Sequence, residues 1–290
     1  MTFRMGPSLL FCPADRPERF GKARDRADAV ILDLEDGVDP ESRAAAREAL
    51  RAHPLDPATT IVRVNPADTA DFLHDVEALR LTQYRTVMLS KTERTDHVER
   101  LNGYKVIALC ETASGIMIAE KLAQMSTVVA LMWGAEDLIA SLGGSGSRRP
   151  DGRYRDVAAH ARSRVLLAAG SAGKAAIDAV HLDIDDRAGL ETEVEDAVAC
   201  GFAATACIHP SQVSVIRDGY RPTPAQLSWS RALLAEAKGR TGAFRFRGQM
   251  IDTPVLRHAE HVLRRAHSES VSNESRRDGD GTPSAGTSRS

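Results

Sequence analysis

Carboxylates recur along this chain directly after short aliphatic runs. Asp33-Leu34-Glu35-Asp36-Gly37 follows one run, Glu93 another, Glu111 a third and Glu136-Asp137 a fourth. One acid at such a place could simply cap the next helix. Several acids converging on one mouth would repel one another and raise their own pKa values, and a cation relieves that. Carboxylate oxygens with no nearby pair of histidines or thiolates select Mg2+ or Mn2+ over zinc. Glu111 and Asp137 come from neighbouring runs and could share one ion, with Glu35 and Asp36 holding the waters around it. Arg63, in Arg63-Val64-Asn65-Pro66, supplies a planar and permanently charged fork suited to a carboxylate or enolate oxygen. A metal and an arginine beside an open coordination position can stabilise an enolate. That points to making or breaking a carbon–carbon bond beside a carbonyl, or to proton abstraction there. The competing reading is that Arg63 only ties the acidic loops together.

These residues need a scaffold that brings distant segments to one place. Eight aliphatic runs read as strands: 8–12, 29–33, 60–64, 86–89, 106–110, 128–132, 176–181 and 204–208. Several are apolar on both faces, as parallel strands covered on each side must be. Helical patterns lie between them, over 39–52, 70–81, 95–101, 114–124, 156–170 and 187–200, with Asp39 as the N-cap of the first. Thr223-Pro-Ala-Gln226 is a capping-box start for a helix to about residue 238. The alternation predicts an α/β fold, a (β/α)8 TIM barrel over residues 1–239. A doubly wound open sheet fits less well, because no strand is followed by a G-x-G-x-x-G turn. Gly143-Gly144-Ser145-Gly146 lacks the Lys-Ser/Thr of a phosphate loop and reads as a flexible connection. Residues 240–267 read as a short appendage with the apolar and charged residues of a docking segment. From 268 to 290 the chain has almost nothing apolar, and disorder is expected.

Composition excludes other classes. Lys and Arg total 38 against 40 Asp and Glu, so the net charge is −2, without the basic excess of a nucleic-acid binder. No apolar run approaches the ~20 residues that span a bilayer. No basic start leads into a long apolar core, so the chain is expected to be cytoplasmic. Cys12, Cys110, Cys200 and Cys207 show no C-x-x-C spacing and read as buried reduced thiols. Cys12 and Cys110 lie at strand ends, but neither has a general base beside it in the sequence.

The ordered segments 10–19, 31–38, 62–65, 87–91, 107–112, 133–138, 207–210 and 248–255 together resemble the HpcH/HpaI aldolase and citrate lyase β-subunit superfamily, specifically its stand-alone citrate lyase β-like members. Among them are Ile31-Leu-Asp-Leu-Glu-Asp-Gly-Val38, Val62-Arg-Val-Asn65, Ile107-Ala-Leu-Cys-Glu-Thr112 and Trp133-Gly-Ala-Glu-Asp-Leu138. The resemblance implies a barrel assembled as a homo-oligomer, a trimer or hexamer. It also implies Mg2+-dependent aldol or Claisen chemistry on acyl-CoA substrates of the malyl-, citramalyl- or citryl type. The partner in that reaction is a 2-keto acid: glyoxylate, pyruvate or oxaloacetate. By the same resemblance Glu111 and Asp137 match the metal ligands, and Glu35 and Asp36 the shell around the ion. Arg63 matches the residue that grips the keto acid, with Glu111 beside it, and Arg16 lies near the CoA phosphates. Asp252 matches an acid on a C-terminal lid that covers a neighbouring subunit's site. One departure stands out: the residue before Lys91 is Ser90 where the family usually has Pro. That predicts a looser loop and puts a role for Lys91 in doubt. A thioesterase on the same scaffold, or a subunit acting on an acyl carrier protein, are the alternatives. His209-Pro210 reads as a helix start. Arg148 and Arg149 read as a solvated pair or as contacts to a CoA phosphate.

Overall fold

The computed structural model describes Phe3 and residues 5–278, the last twelve as backbone. Eight strands, β1 (Ser8–Pro13), β2 (Ala29–Asp33), β3 (Thr60–Val64), β4 (Thr86–Leu89), β5 (Lys105–Cys110), β6 (Val128–Trp133), β7 (Ala175–Asp178) and β8 (Ala204–Cys207), form a closed barrel. Every pairing is parallel, and β8 returns to β1 through Leu9↔Ala206. Parallel neighbours need crossovers of a dozen or more residues, and the helical segments between the runs supply them. The barrel interior is packed with Leu9, Ile31, Ile61, Met88, Ile107, Leu109, Met132 and Ile177.

Strand periodicity then aims the chemistry. Side chains alternate faces along a strand, so Asp33 shares the inward face of Ala29 and Ile31. By the same count Arg63 follows Ile61, and Glu111 follows Ile107 and Leu109 inward. Each lies at the carboxyl end of its strand, the end where barrel enzymes carry their reactive groups.

Strand bounds agree with the sequence expectation to within three residues. The helices differ more. Pro210–Tyr220 begins where His209-Pro210 reads as a helix start, whereas the short helices at Phe20–Arg26 and Ala135–Ser141 have no counterpart in the sequence reading. Their segments are short, and glycine or charged residues interrupt their apolar period. The helix expected over 114–124 divides at Ile118 into Ala113–Met117 and Ala119–Gln124. Asp39 does not cap a helix through its side chain. Pro40–Ser42 is a 3-10 turn, and the α-helix begins at Arg43.

A second compact unit begins at Asp218. The capping box forms as expected: Gln226 N donates to Thr223 Oγ1 at 3.2 Å, and Thr223 N to Gln226 Oε1 at 2.8 Å. The helix it opens, Pro224–Glu236, contributes Leu233 to a small core with Ile251 and Ala259, flanked by Trp229 and Phe244. Phe244–Phe246 and Gln249–Ile251 make a hairpin. Its two central residues, Arg247 and Gly248, both have positive φ, as a two-residue hairpin turn demands. The final helix runs Thr253–Asp278, so helix replaces the expected disorder over 268–278; 279–290 lie outside the described residues. A sequence too polar to build a core can still extend a helix begun by packed residues, since propagation needs no new nucleus. Among the described residues no helix is long and apolar enough to cross a membrane.

One buried acid gives the fold a pH signature. Asp28 accepts from Ser8 N at 3.0 Å, from Ser8 Oγ at 2.6 Å and from Arg217 Nε at 3.2 Å. Burial alone would raise its pKa; the Ser8 and Arg217 bonds outweigh that and hold it below the ordinary carboxylate range. A depressed folded-state pKa stabilises the fold above the unfolded value of ~3.9, and this stability is lost as pH falls through the folded value. Denaturation midpoints measured through this acid range should fall more steeply in the wild type than in Asp28→Asn. Parallel curves would remove Asp28 as a contributor.

Candidate active site at the carboxyl end of the barrel

Asp33 and Arg63 are register partners on β2 and β3. Arg63 Nε donates to Asp33 Oδ1 at 2.7 Å and Nη2 to Oδ2 at 2.6 Å, a bidentate pair with both side chains buried. The same carboxylate accepts from Glu35 N at 3.0 Å and Gly37 N at 2.9 Å, so Asp33 folds the loop that follows it. A Cβ on Gly37 would stand 2.3 Å from Asp33 Oδ2, and only glycine allows that closeness. The third guanidinium nitrogen, Nη1, lies 3.0 Å from Glu35 Oε2, and the Phe11 ring is 4.8 Å from Arg63 Cζ. Burial would lower the pKa of Arg63, but Asp33, then Glu35 and Glu111, raise it, so the fork stays charged. The tying role weighed from the sequence is therefore real. The Nη1 edge is the part of the fork that Asp33 leaves over.

Lys91 stands among the other acids. Its Nζ donates to Glu35 Oε1 and, at 3.1 Å, to Asp36 Oδ2, and lies 3.4 Å from Asp137 Oδ1. Its backbone N donates to Glu111 Oε1 at 3.0 Å. Burial would lower the ammonium's pKa; Glu35, Glu111 and Asp137 raise it above the ordinary lysine range. The looser loop expected from Ser90 is not found. Ser90 Oγ donates to Val64 O at 2.7 Å and Thr92 N to Leu109 O at 3.0 Å, bonds that clamp both sides of Lys91. Proline would lack that hydroxyl donor.

Glu111 is buried, and burial, followed by repulsion from Asp137, pushes its pKa up to about 8. Gly134 permits its placement: a Cβ there would meet Glu111 Oε2 at 2.8 Å and Glu111 Cβ at 2.9 Å. Asp137 sits in the first turn of Ala135–Ser141, after β6. Its neighbour Glu136 is taken by the Ser147 hydroxyl, and Glu93 is not among the acids that meet Lys91. Burial raises Glu35, and Arg63 and Lys91 offset this only in part; at Asp36 burial is outweighed by Lys91, and its pKa is lowered. Five carboxylates thus face two cations. Glu35 Oε2 is buried and, although it faces Nη1, accepts no well-aligned hydrogen bond. Hard oxygens, an excess of negative charge and an unsatisfied acceptor fit a divalent cation such as Mg2+. Among the described residues no group of three or more His, Cys, Asp or Glu is arranged to hold a metal.

The model of the HpcH/HpaI aldolase/citrate lyase family matches residues 7–210. The chain belongs to that family. A citrate lyase subunit beta-like protein of Mycobacterium tuberculosis (strain ATCC 25618 / H37Rv) is 58% identical over 261 residues, spanning 90% of this chain and 96% of the relative. The mitochondrial citramalyl-CoA lyase of Homo sapiens is 29% identical, over 88% of this chain and 84% of that protein. Among solved structures, CitE from Mycobacterium tuberculosis in complex with magnesium, acetoacetate and coenzyme A superposes with a TM-score of 0.86 at 57% identity, covering 91% of this chain and 98% of that one. The citrate lyase beta subunit complexed with oxaloacetate and magnesium, also from M. tuberculosis, gives 0.74 at 59% identity over 75% of this chain and 98% of that one.

Within this member of the HpcH/HpaI family the other expected residues fall in several places. Arg16 lies in the loop after β1, more than half exposed, with Asp15 at 3.6 Å. Asp252 belongs to the second unit and precedes its last helix, where Val255 N donates to its Oδ1 at 3.4 Å. His209 takes the structural role: its Nδ1 meets Ser211 Oγ at 2.7 Å, and Gln212 Oε1 accepts from the backbone N of Ile208 and of His209. Arg148 is not a solvated arginine, being held by Glu193 and the Tyr154 hydroxyl; Arg149 pairs with Asp156 at 3.0 Å. Burial pushes the Cys12 thiol up to about 11 and Cys110 to about 12, against a nucleophilic role, while Cys200 is exposed rather than buried.

Two supports escaped the sequence reading. One is Asp33 as the clamp of Arg63. The other is Asp75, fully buried, whose Oδ2 accepts from Asn65 N at 2.9 Å and Asn65 Nδ2 at 2.8 Å. Asn65 Nδ2 also donates to Leu34 O at 2.9 Å, inside the Asp33–Gly37 loop. A signal existed: Asp75 interrupts the buried stripe Phe72, Val76, Leu79 of its helix, and an acid in such a stripe needs a partner.

Proposed function

We propose that the protein is a Mg2+-dependent carbon–carbon lyase that cleaves, and in reverse forms, a 3-hydroxyacyl-CoA of the malyl-, citramalyl- or citryl type. The products are a 2-keto acid and an acyl-CoA. The observation that carries this reading is the juxtaposition of the charged Arg63 fork with Glu35, Asp36, Glu111 and Asp137 at the barrel's carboxyl end. The relatives whose structures hold magnesium with oxaloacetate, or with acetoacetate and coenzyme A, support the substrate class.

Glu111 and Asp137 would hold the ion, and Glu35 and Asp36 the waters around it. A bound divalent cation supplies Lewis-acid stabilisation of negative charge on substrate oxygens. The chain's own residues do the rest. Arg63 turns its Nη1 edge to the oxygen that gains charge, and Asp33 keeps that edge from rotating. Glu35, pushed up by burial and 3.0 Å from Arg63, is suited to accept the hydroxyl proton as the carbon–carbon bond breaks. The bond's electron pair passes to the acyl-CoA enolate, and the carbinol becomes the keto group. Protonation at the enolate carbon is assigned to Asp252, supplied by a neighbouring copy in a homo-oligomer. Arg16 is assigned to the CoA phosphates.

Product analysis with malyl-CoA and citramalyl-CoA tests the reading. A keto acid and an acyl-CoA in equal amounts are expected, with turnover lost in EDTA and restored by Mg2+. Free CoA with the hydroxy-diacid intact would instead make the protein a thioesterase. Activity confined to a carrier-protein thioester would make it a subunit of a larger lyase.

The trans assignment has its own measurement. Mixing inactive Glu111→Gln with inactive Asp252→Ala under subunit exchange should restore a fraction of wild-type turnover. Mixed oligomers without activity would count against supply of Asp252 by a neighbouring copy.

A further inference from the structure

Lys91 touches every acid assigned to the cation. Its ammonium meets Glu35, Asp36 and Asp137, and its backbone N holds Glu111. No other residue of the site contacts all four through described bonds or ion pairs. Its position is also enforced. Lys91 has φ 45, in the left-handed region that residues with a side chain rarely adopt. The bonds of Ser90 and Thr92 on either side keep it there. A lysine on a relaxed, exposed turn would wander; this one is delivered to the acids by a backbone conformation that carries strain.

We propose that Lys91 is a built-in competitor of the divalent cation. The inference rests on the metal reading above and goes beyond it. Each carboxylate lone pair donated to the ammonium is one that an ion, or an ion's water, would otherwise use. The ammonium also adds a positive charge within 3.4 Å of an assigned ligand oxygen. Both effects oppose cation binding and are strong where water is partly excluded. The opposite possibility is a purely organising lysine, which gathers the acids and so assists the ion. The two differ in sign, which makes them separable. A lysine that competes keeps resting affinity for the cation low, so that the ion binds firmly only when a substrate carboxylate adds its own negative charge.

Mn2+ binding to the full-length protein, followed by electron paramagnetic resonance without substrate, decides between them. Lys91→Met removes the charge at similar volume and should tighten Mn2+ binding at least tenfold. Lys91→Arg keeps the charge and should stay within about threefold of wild type. Lys91→Gln is a second neutral variant, read the same way should Lys91→Met fail to fold. The shift of melting temperature produced by Mg2+ should likewise be larger in the neutral variants. Equal or weaker Mn2+ binding in folded neutral variants, beside measurable binding in wild type, would overturn the proposal. No Mn2+ binding at millimolar concentration in wild type and folded neutral variants alike, even with a 2-keto acid added, would instead overturn the metal reading.

Discussion

Glu111→Gln and Asp137→Asn should each lower kcat/KM for a cleaved acyl-CoA by roughly a hundred- to a thousandfold, with the barrel still folded. The scale is that of removing one preorganised electrostatic contact to a transition state. Gln keeps the length of Glu111 and an oxygen for the Lys91 N–H, so the backbone contact at 3.0 Å survives. It also removes a buried carboxylate that burial and Asp137 already push up to about 8. Stability in EDTA should therefore be at or above that of wild type for Glu111→Gln. Asp137 is more exposed and meets only the edge of the Lys91 ammonium, so Asn there should be close to neutral for folding. The separation of folding from turnover is the point of the experiment. Circular dichroism melts and steady-state kinetics on the same samples read both. Wild-type turnover in either variant would refute the assignment of that residue to the ion.

The strands and the acids were legible in the sequence for one reason. Parallel barrel strands are buried on both faces, so they stand out as aliphatic runs, and the polar residue that ends each run is the residue at the mouth. Ile31–Asp33, Ile61–Arg63 and Leu109–Glu111 each show the alternation that turns the last residue inward. What stayed hidden depends on register and on backbone turns. That Asp33 faces Arg63 follows from β2 and β3 being offset so that those two residues pair, which spacing alone does not give. Lys91 was doubted because its neighbour is Ser rather than Pro. The left-handed turn that carries its ammonium to the acids leaves no mark in a sequence where glycine is absent from that position. Asn65 and Asp75 lie ten residues apart, one in a loop and one on a helix, and their bond exists only once both elements pack. The last helix was missed over 268–278 because composition reports on whether a segment can build a core, not on whether it can prolong a helix.

Arg63 should show the largest combined effect on folding and turnover. Its guanidinium satisfies Asp33 with two bonds and leaves Nη1 toward Glu35, so one side chain serves the loop and the reaction together. Arg63→Ala leaves Asp33 buried and negatively charged, with only the backbone N–H groups of Glu35 and Gly37 to oppose that charge. Breaking a buried pair in this way costs about 3–5 kcal/mol. Urea denaturation should register that loss alongside loss of turnover. Arg63→Lys keeps the charge but replaces a fork by a point, so it cannot hold Asp33 at both oxygens and face substrate at once. It should stay folded and lose roughly a hundredfold in kcat/KM. Pairing Arg63→Met with Asp33→Asn separates the two roles, because the stranded charge disappears with its partner. The double variant should recover part of the stability lost in Arg63→Met alone and none of the activity, a coupling that a double-mutant cycle measures directly. Arg63→Ala as stable as wild type would show that the fork does not hold the loop, and Arg63→Lys within threefold of wild-type activity that the reaction does not need it.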